Sequence, residues 1–135
     1  QVVEADGGVA KRLEMANGEP VIWIETIRLV EDKPFCITWH FFPEKRLHDG
    51  LDTYEGGSLY QFLRERCGIR LKRSYSLITT LLPQADDANL LHMSHRQPVL
   101  RVKSVNVDIN DGKPFEYVIT RFRADYVELS LDLAP

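Results

Sequence analysis

The chain has 135 residues, of which 44% are hydrophobic and 27% charged, and its formal net charge at pH 7 is -3. This is the size and composition of one globular domain, and the acidic balance argues against direct nucleic-acid binding, which usually needs a basic surface. No apolar run reaches the ~18 residues that a membrane-spanning helix requires. We therefore expect a single domain that has no membrane partner.

The cysteines and the first residues bear on location and completeness. Cys36 and Cys67 lie inside a predicted strand and a predicted helix, and two cysteines do not make a disulfide framework, so we expect a reducing, cytoplasmic location. The chain begins at Gln1 without a methionine, as expected for a piece of a longer protein. Residues 1–11 are polar and contain glycine, and they are predicted to be a linker or disordered terminus.

A β-hairpin is predicted in the first half of the chain. Val21–Val30 is rich in β-branched residues, and Phe35–Phe42 returns after a polar turn, so both segments are typical of strands. Alternate residues of a strand share a face. If the loop has three residues, Thr26 lies opposite Thr38 on the face that also carries Arg28, whereas a two-residue loop would reverse this parity.

The segment Ser58–Gly68 predicts a short helix with both ends marked. Ser58 can cap the first turn, Gln61 completes a capping box, and Gly68 suits a left-handed residue at the C-terminus. The first backbone N–H groups of a helix lack internal partners and carry positive partial charge. The start of this helix is therefore a candidate anion site, although an ordinary capped amphipathic helix explains the same pattern.

The rest of the chain is predicted to alternate strands with short helical segments. The further predicted elements are a helical turn over Glu44–Leu51, a long strand or bent pair over Ile69–Leu82, a short helix over Gln84–Met93, a hairpin of Val99–Ile109 and Pro114–Arg123, and a half-buried last strand over Val127–Leu133. Hairpin connections mixed with helices indicate an α+β fold, with a mainly antiparallel sheet flanked by short helices.

Few side chains indicate a chemical role. Arg28, in an otherwise apolar strand, either faces solvent or offers a guanidinium fork to a carboxylate or phosphate. Glu116 is either a surface charge or an acceptor for ligand hydroxyl or amine groups. His92 and His95 lack acids or cysteines at ligand spacing, so no metal site is predicted. Nucleophile and phosphate-loop motifs are absent, so neither a catalytic residue nor a cofactor is predicted.

The order of these segments resembles the UTRA domain, the effector-binding half of the HutC subfamily of GntR-type bacterial transcription regulators. The resemblance rests on four features: the strand with Arg28, the return strand ending at Pro43, Ser58-Leu59-Tyr60, and the pair Pro114-Phe115-Glu116-Tyr117 and Arg123-Ala124-Asp125-Tyr126. It implies a UTRA domain over residues 12–135, with a fold like that of chorismate lyase used for sensing. The family's winged helix-turn-helix domain would precede this chain and is absent from it.

The resemblance also implies a ligand site. In family members that bind phosphorylated sugars, an arginine matching Arg28 and the serine and tyrosine matching Ser58 and Tyr60 hold the phosphate. A glutamate matching Glu116 holds the sugar. These four residues are therefore the expected ligand contacts, in agreement with the anion site expected at the start of the helix.

The chain departs from that sugar-phosphate pattern at three positions. Thr26 stands in place of a second arginine, Thr38 in place of a glutamate, and Phe122 in place of a tyrosine. His40, near Thr38 on the same predicted face, offers replacement polarity. These four residues are also expected in the site, and the departures favour a smaller or differently shaped anion, such as a phosphonate, over an amino-sugar phosphate.

The function that the resemblance implies is that of a cytoplasmic, non-enzymatic sensor. It would bind a small anionic effector, either a phosphonate or a phosphorylated metabolite, form a homodimer, and contact operator DNA only through the preceding domain of a repressor. Two alternatives remain open. One is a chorismate lyase-like enzyme for a small aromatic acid, with Arg28 and Glu116 as carboxylate anchor and general acid. The other is a module that only dimerises.

Overall fold

The computed structural model describes residues 1–47, 51–84 and 86–133. The strands are β1 (Val2–Glu4), β2 (Pro20–Val30), β3 (Lys33–Pro43), β4 (Leu71–Leu81), β5 (Val99–Asp108) and β6 (Pro114–Arg123). The α-helices are α1 (Gly7–Leu13), α2 (Leu59–Cys67) and α3 (Asp87–Leu90), and single 3-10 turns cover Glu44–Arg46, Leu51–Thr53 and Ala124–Tyr126. Within these ranges the strands form one antiparallel sheet in the order β1-β2-β3-β6-β5-β4. The predicted α+β class is confirmed.

The β2–β3 hairpin closes on a loop of two residues. Glu31 and Asp32 connect Val30 to Lys33, which lie opposite each other at the ends of the two strands. Both loop residues have positive φ, 51° and 65°, as in the tight turns whose twist suits paired strands. The prediction of a three-residue loop, on which the predicted register depended, is therefore wrong.

The predicted register is nevertheless correct because β3 contains a bulge. The pairing shifts between Arg28 and Leu29, which leaves Phe35 as an extra residue in β3. One extra residue restores the parity that the shorter loop reverses. Thr26 consequently lies opposite Thr38, and Arg28 keeps the same face of the sheet.

The N-terminal residues belong to the sheet and core, which corrects the predicted linker or disordered terminus over residues 1–11. Val2–Glu4 pairs with the start of β2. The Asp6 side chain caps α1 by accepting the Val9 N–H at 2.9 Å. The buried side chains of α1 are Val9, Ala10 and Leu13, which pack with Val21, Val105 and Tyr117. Burial of this apolar face stabilises a helix whose glycine-containing start has little helix propensity of its own.

Helix α2 begins and ends where the sequence predicts. Ser58 Oγ accepts the Gln61 N–H at 3.2 Å, and Gly68 closes the helix with a φ of 67°. The Gln61 side chain donates to Glu65 at 3.1 Å, one turn further on, so only the serine half of the predicted capping box is observed. The buried residues Leu59 and Leu63 pack against Phe42 and Phe115.

The two faces of the sheet carry different helices. The α2 face is defined by Thr26, Thr38, His40, Phe42 and Glu116, which share one side of the sheet, and α2 packs on this side at Phe42. The α1/α3 face is defined by Ile37, Trp39, Val99, Tyr117 and Arg121, and α1 and α3 pack near its two ends. Across the described residues, every helix is too short or too polar to span a bilayer.

The long strand predicted over Ile69–Leu82 is confirmed, whereas two other predicted segments differ from the structure. Over Ile69–Leu82 there is one bulged strand, β4, at the edge of the sheet, and most of its residues are exposed. The predicted helix over Gln84–Met93 is only one turn, α3, and residue 85 lies outside the described residues. In the predicted turn over Glu44–Leu51, residues 48–50 also lie outside the described residues. The predicted last strand is wrong, since residues 127–133 are not paired and Leu129, Leu131 and Leu133 are exposed.

Candidate functional site

A buried carboxylate lies on the α2 face. Glu116, on β6, has no exposed surface. His40 Nδ1 on β3 lies 2.6 Å from Glu116 Oε2, and the Asn106 amide on β5 donates to Oε1 at 2.7 Å. The Tyr60 hydroxyl on α2 donates to Oε2 at 3.4 Å. When Glu116 is ionised, His40 donates from Nδ1, because a carboxylate can only accept. We call these four residues the Glu116 centre.

A bulge in β6 brings Glu116 to this position. Asn106 lies opposite Glu116, but the next residue of β5, Val107, lies opposite Pro114, so Phe115 is an extra residue in β6. The bulge lets Phe115 pack under α2 with the helix core, while its neighbour Glu116 reaches the polar side chains of β3 and β5. The site therefore depends on strand irregularity, which alternation alone does not predict.

Two threonines extend the polar contacts away from the Glu116 centre. Thr26 Oγ1 lies 3.4 Å from His40 Nε2, the ring nitrogen that does not contact Glu116. Thr38 Oγ1 donates to Thr120 Oγ1, also at 3.4 Å. Both distances are long for hydrogen bonds that involve a hydroxyl group. These hydroxyls are thus the part of the network that can change partner most easily.

Tyr60 keeps its proton in this environment. Burial raises the pKa of Tyr60, and the neighbouring Glu116 carboxylate raises it further. The residue as a whole is 42% exposed, although its hydroxyl donates to the buried Glu116 carboxylate. The phenol is therefore a neutral hydrogen-bond donor at physiological pH.

Arg28 and Ser58 lie on the α2 face but do not meet. The exposed Arg28 guanidinium lies 5.9 Å from the centre of the Phe35 ring, and the exposed Ser58 hydroxyl caps its own helix. Arg28 pairs with Cys36, four residues along β3 from His40, which is about 14 Å at a rise of ~3.4 Å per residue. The predicted cradle of one guanidinium and a helix start stays a prediction, as does the role of both residues in ligand binding.

Phe122 lies at the Arg28 end of the same face. It pairs with Cys36, and its ring meets Phe35 edge-to-face, with 5.4 Å between the ring centroids. It also lines a cavity of about 500 Å³ together with Thr120, residues 127–129 and Leu131. These contacts join Phe122 to other residues of the chain and do not test its role in ligand binding. That role remains a prediction.

A cationic cleft adjoins the Glu116 centre. It has a volume of about 580 Å³ and is lined by Arg64 of α2, by Arg70, and by Arg73 of β4, with Tyr60 and Asn106 in the same lining. Its lining includes no carboxylate, and no ion pair joins these three arginines to the described part of the chain. Arg73 Nε donates to Asn106 Oδ1 at 3.5 Å, which links the cleft to the Glu116 centre.

The arginines of this cleft and Asn106 were not predicted from the sequence. Two signals were available. Arg70 and Arg73 follow closely after the glycine that ends α2, and Asn106 interrupts a run of β-branched residues in β5. Neither signal identifies a partner, because the residues are brought together only by the pairing of β4 with β5 and of β5 with β6.

Residues 1–128 match the family described as the UTRA domain. The chain is 34% identical over 128 residues to the "Probable transcriptional regulator PhnF" of Escherichia coli (strain K12), covering 95% of this chain and 53% of that protein. It is 30% identical over 125 residues to the "HTH-type transcriptional regulator GgaR" of the same strain, covering 93% and 49%. The chain thus spans about half the length of the curated relatives that it matches.

Two solved structures are similar over nearly the whole chain. The crystal structure of the PhnF C-terminal domain has a TM-score of 0.90 at 33% identity, covering 98% of this chain and 83% of that one. The effector domain of PhnF from Mycobacterium smegmatis has a TM-score of 0.88 at 26% identity, covering 100% and 83%. Both structures therefore share the fold of this chain over nearly its whole length.

Proposed function

The chain belongs to the UTRA domain family, and on this premise we propose that it is the effector-binding domain of a GntR-family transcription repressor. Its relatives at 30% identity or more are named transcriptional regulators, and one similar structure is described as an effector domain. The names of these relatives favour a non-enzymatic role over a chorismate lyase-like activity. In this proposal, operator DNA is contacted through a preceding winged helix-turn-helix domain of a cytoplasmic protein.

The proposed effector is a small anion, either a phosphonate or a phosphorylated metabolite. The observation that supports it best is the Glu116 centre, which offers neutral donors and a buried acceptor beside a cleft lined by three arginines. Guanidinium groups bind phosphonate and phosphate oxygens through paired N–H donors. A substituent with a hydroxyl or amine group would then reach towards Glu116, His40 or the Thr26 and Thr38 hydroxyls.

Arg28, Ser58 and Phe122 complete the proposed site as its outer contacts. They share the α2 face with the Glu116 centre, but about 14 Å of strand separates Arg28 from His40. A contact between the effector and Arg28 therefore requires the long arginine side chain to leave Phe35 and turn towards α2. In this proposal, such a movement accompanies effector binding.

Effector binding acts by population shift in a homodimer. A ligand changes the balance between two arrangements only through its different affinity for each of them. Movement of α2 and Arg28 around the anion would supply that difference, and the arrangement of two domains would set the spacing of the two DNA-binding heads. The alternative of a module that only dimerises is less favoured, because a cleft opens beside Tyr60.

Calorimetric titration of the chain with methylphosphonate, 2-aminoethylphosphonate and glucose 6-phosphate tests this function. We expect 2-aminoethylphosphonate or glucose 6-phosphate, which carry an amine or hydroxyl groups, to bind. Tyr60→Phe and Glu116→Gln should weaken this binding by about tenfold or more, the loss expected for one charge-assisted hydrogen bond. Tyr126→Phe is the matched control, because Tyr126 is exposed and lies outside the Glu116 centre and the cleft. Equal affinity in Tyr60→Phe, Glu116→Gln and the control would contradict the assignment of the site.

A further inference from the structure

The α1/α3 face contains a second cavity, in the gap between its helices. α1 packs against Val105 and Tyr117 near one end of this face, and α3 packs with the cluster of Ile37 and Val99 near the other. The cavity between them has a volume of about 190 Å³. Its lining residues from the sheet are Trp39, Leu81, Val99, Arg101, Lys103, Ile119 and Arg121, and Gln84 and Asp87 complete it.

The charges that line this cavity are not balanced. Arg101 lies directly opposite Arg121 on the neighbouring strand, and Lys103 is two residues further along on the same face. Like charges that face each other across a sheet destabilise it. Asp87 is the carboxylate of the lining, and Arg121 already holds both of its oxygens, at 3.0 Å and 3.1 Å. Arg101 and Lys103 therefore share the cavity without an anionic partner in its lining.

Arg101 also has an unsatisfied donor. Its Nε atom is buried and makes no hydrogen bond with the part of the chain that the structure describes. A buried N–H without an acceptor is rare in folded proteins, because it loses its water without replacing it. Desolvation lowers the pKa of Lys103, and repulsion by Arg101 and Arg12 lowers it further. Both side chains would gain from a bound acceptor with negative charge.

The remaining walls of the cavity are held in place. The Trp39 indole N–H donates to Glu25 at 2.7 Å, which fixes one side of the ring. The Arg121 guanidinium lies 4.2 Å from the centroid of the Trp39 ring. Its two hydrogen bonds to Asp87 hold the guanidinium in this orientation. The cavity is smaller than the roughly 300 Å³ at which pockets for drug-sized ligands begin, so it suits a small ion.

We infer that this cavity is an anion site for a phosphate group, held between Arg101 and Lys103 beside Trp39. A tetrahedral oxyanion offers several acceptors at once, so one group can meet the Arg101 Nε donor and the Lys103 ammonium together. The site lies on the face of the sheet opposite the Glu116 centre, so it is separate from the proposed effector site and does not depend on it. It would bind inorganic phosphate or the phosphate group of a small metabolite.

Two-dimensional NMR of the labelled chain, titrated with inorganic phosphate at constant ionic strength, tests the site. We expect saturable shifts of the Trp39 indole signal and of the Arg101 and Lys103 amides, and a rise in the pKa of Lys103. Arg101→Met should weaken this binding about tenfold or more, since it removes a charged hydrogen-bond donor. Lys72→Met, which removes a charge from an exposed strand residue outside the cavity, should leave it unchanged.

Thermal unfolding of the same variants provides the second readout. Without phosphate, Arg101→Met should unfold at the wild-type temperature or above it, because the variant deletes an unsatisfied buried donor and one of two facing charges. With phosphate, only the wild type and Lys72→Met should gain stability. If Arg101→Met does not fold, Lys103→Met carries the same binding test.

Three results would overturn the phosphate site. The first is equal phosphate affinity in the wild type, Arg101→Met and Lys103→Met. The second is a response to acetate or chloride as large as that to phosphate, which would show general screening of the cations. The third is a set of shifts confined to Tyr60, Arg73 and their neighbours, which would support the proposed effector site while contradicting this one.

Discussion

At the scale of single residues, the Glu116 centre shows how a carboxylate is kept inside this domain. An ionised group without exposed surface is tolerated only when hydrogen bonds replace its lost water. His40, Asn106 and Tyr60 supply those bonds from three different elements, so both oxygens of Glu116 are engaged. The centre is therefore a prearranged acceptor, and a ligand that approaches it meets fixed polar groups in place of mobile side chains.

The raised pKa of Tyr60 predicts a loss of stability at alkaline pH. In the unfolded chain the phenol ionises near its ordinary pKa of 10.0, whereas the folded chain keeps the proton to higher pH. The folded state then binds more protons above pH 10, so the free energy of unfolding falls as the pH rises further. The ring is partly exposed, so we expect only a fraction of the about 1.4 kcal/mol per pH unit that one proton contributes.

Urea unfolding at a series of pH values between neutral and strongly alkaline measures this effect. Tyr60→Phe should show a shallower decline above pH 10 than the wild type, because it lacks the ionisable group. Tyr126→Phe removes an exposed phenol and should decline as the wild type does. A Tyr60→Phe curve parallel to both of the others would show that Tyr60 ionises equally in the folded and unfolded states.

At the scale of elements, the β2–β3 hairpin sets the face on which the site residues lie. Its two-residue loop and the extra residue Phe35 act in opposite senses on the parity of the strands. Together they keep Thr26, Thr38 and His40 on the α2 face, where the Glu116 centre is assembled. A change in either feature alone would place Thr26 and the two β3 side chains on opposite faces of the sheet.

The positive φ of Asp32 predicts a stabilising substitution in this loop. A non-glycine residue is strained in the left-handed region, whereas glycine adopts it without a clash of its Cβ atom. We expect Asp32→Gly to raise the free energy of unfolding by about 0.5–1 kcal/mol, measured by urea denaturation, once the greater freedom of glycine in the unfolded chain is included.

The control for the loop is His95→Gly. His95 is an exposed loop residue that is not among the residues of positive φ, so it has no such strain to relieve. This variant should be neutral or slightly less stable, because glycine adds freedom to the unfolded chain. If Asp32→Gly lost as much stability as His95→Gly, the turn geometry assigned to the hairpin would be wrong.

At the scale of the whole molecule, apolar side chains remain uncovered at one edge and at the C-terminal segment. The edge strand β4 exposes Leu77 by 45% and Ile78 by 41%, and residues 127–133 expose Leu129 by 53% and Leu131 by 67%. A long exposed edge strand and an alternating apolar segment without a partner strand are both typical of surfaces that pair with another chain. They are the expected contact surfaces of the proposed homodimer.

The dimer is tested by substitution in the C-terminal segment. We expect the double variant Leu129→Asp and Leu131→Asp to shift the chain from dimer to monomer in light scattering coupled to gel filtration, because charges placed in an apolar interface lose their water without gaining a partner. Leu29→Asp, on an equally exposed side chain at the far end of β2, should leave the dimer intact. A wild-type chain that is monomeric at all concentrations would contradict the proposed homodimer.

Features that depend on neighbours along the chain were predictable from the amino-acid pattern. Strand alternation and turn residues predicted β2, β3, β5 and β6, and capping residues predicted both ends of α2. These signals are local, because each depends on residues a few positions apart. The N-terminal β1 and α1 escaped prediction, since contacts with β2 and the core, distant in sequence, stabilise them.

The tertiary structure alone decided which side chains meet. Asn106 reaches Glu116, and Arg101 faces Arg121, only because bulges and strand order fix one register out of several that the pattern allows. For the same reason Arg28, which the sequence placed beside Ser58, lies at the far end of their common face. Local patterns determine the elements, whereas the site depends on pairings between distant strands that no single segment encodes.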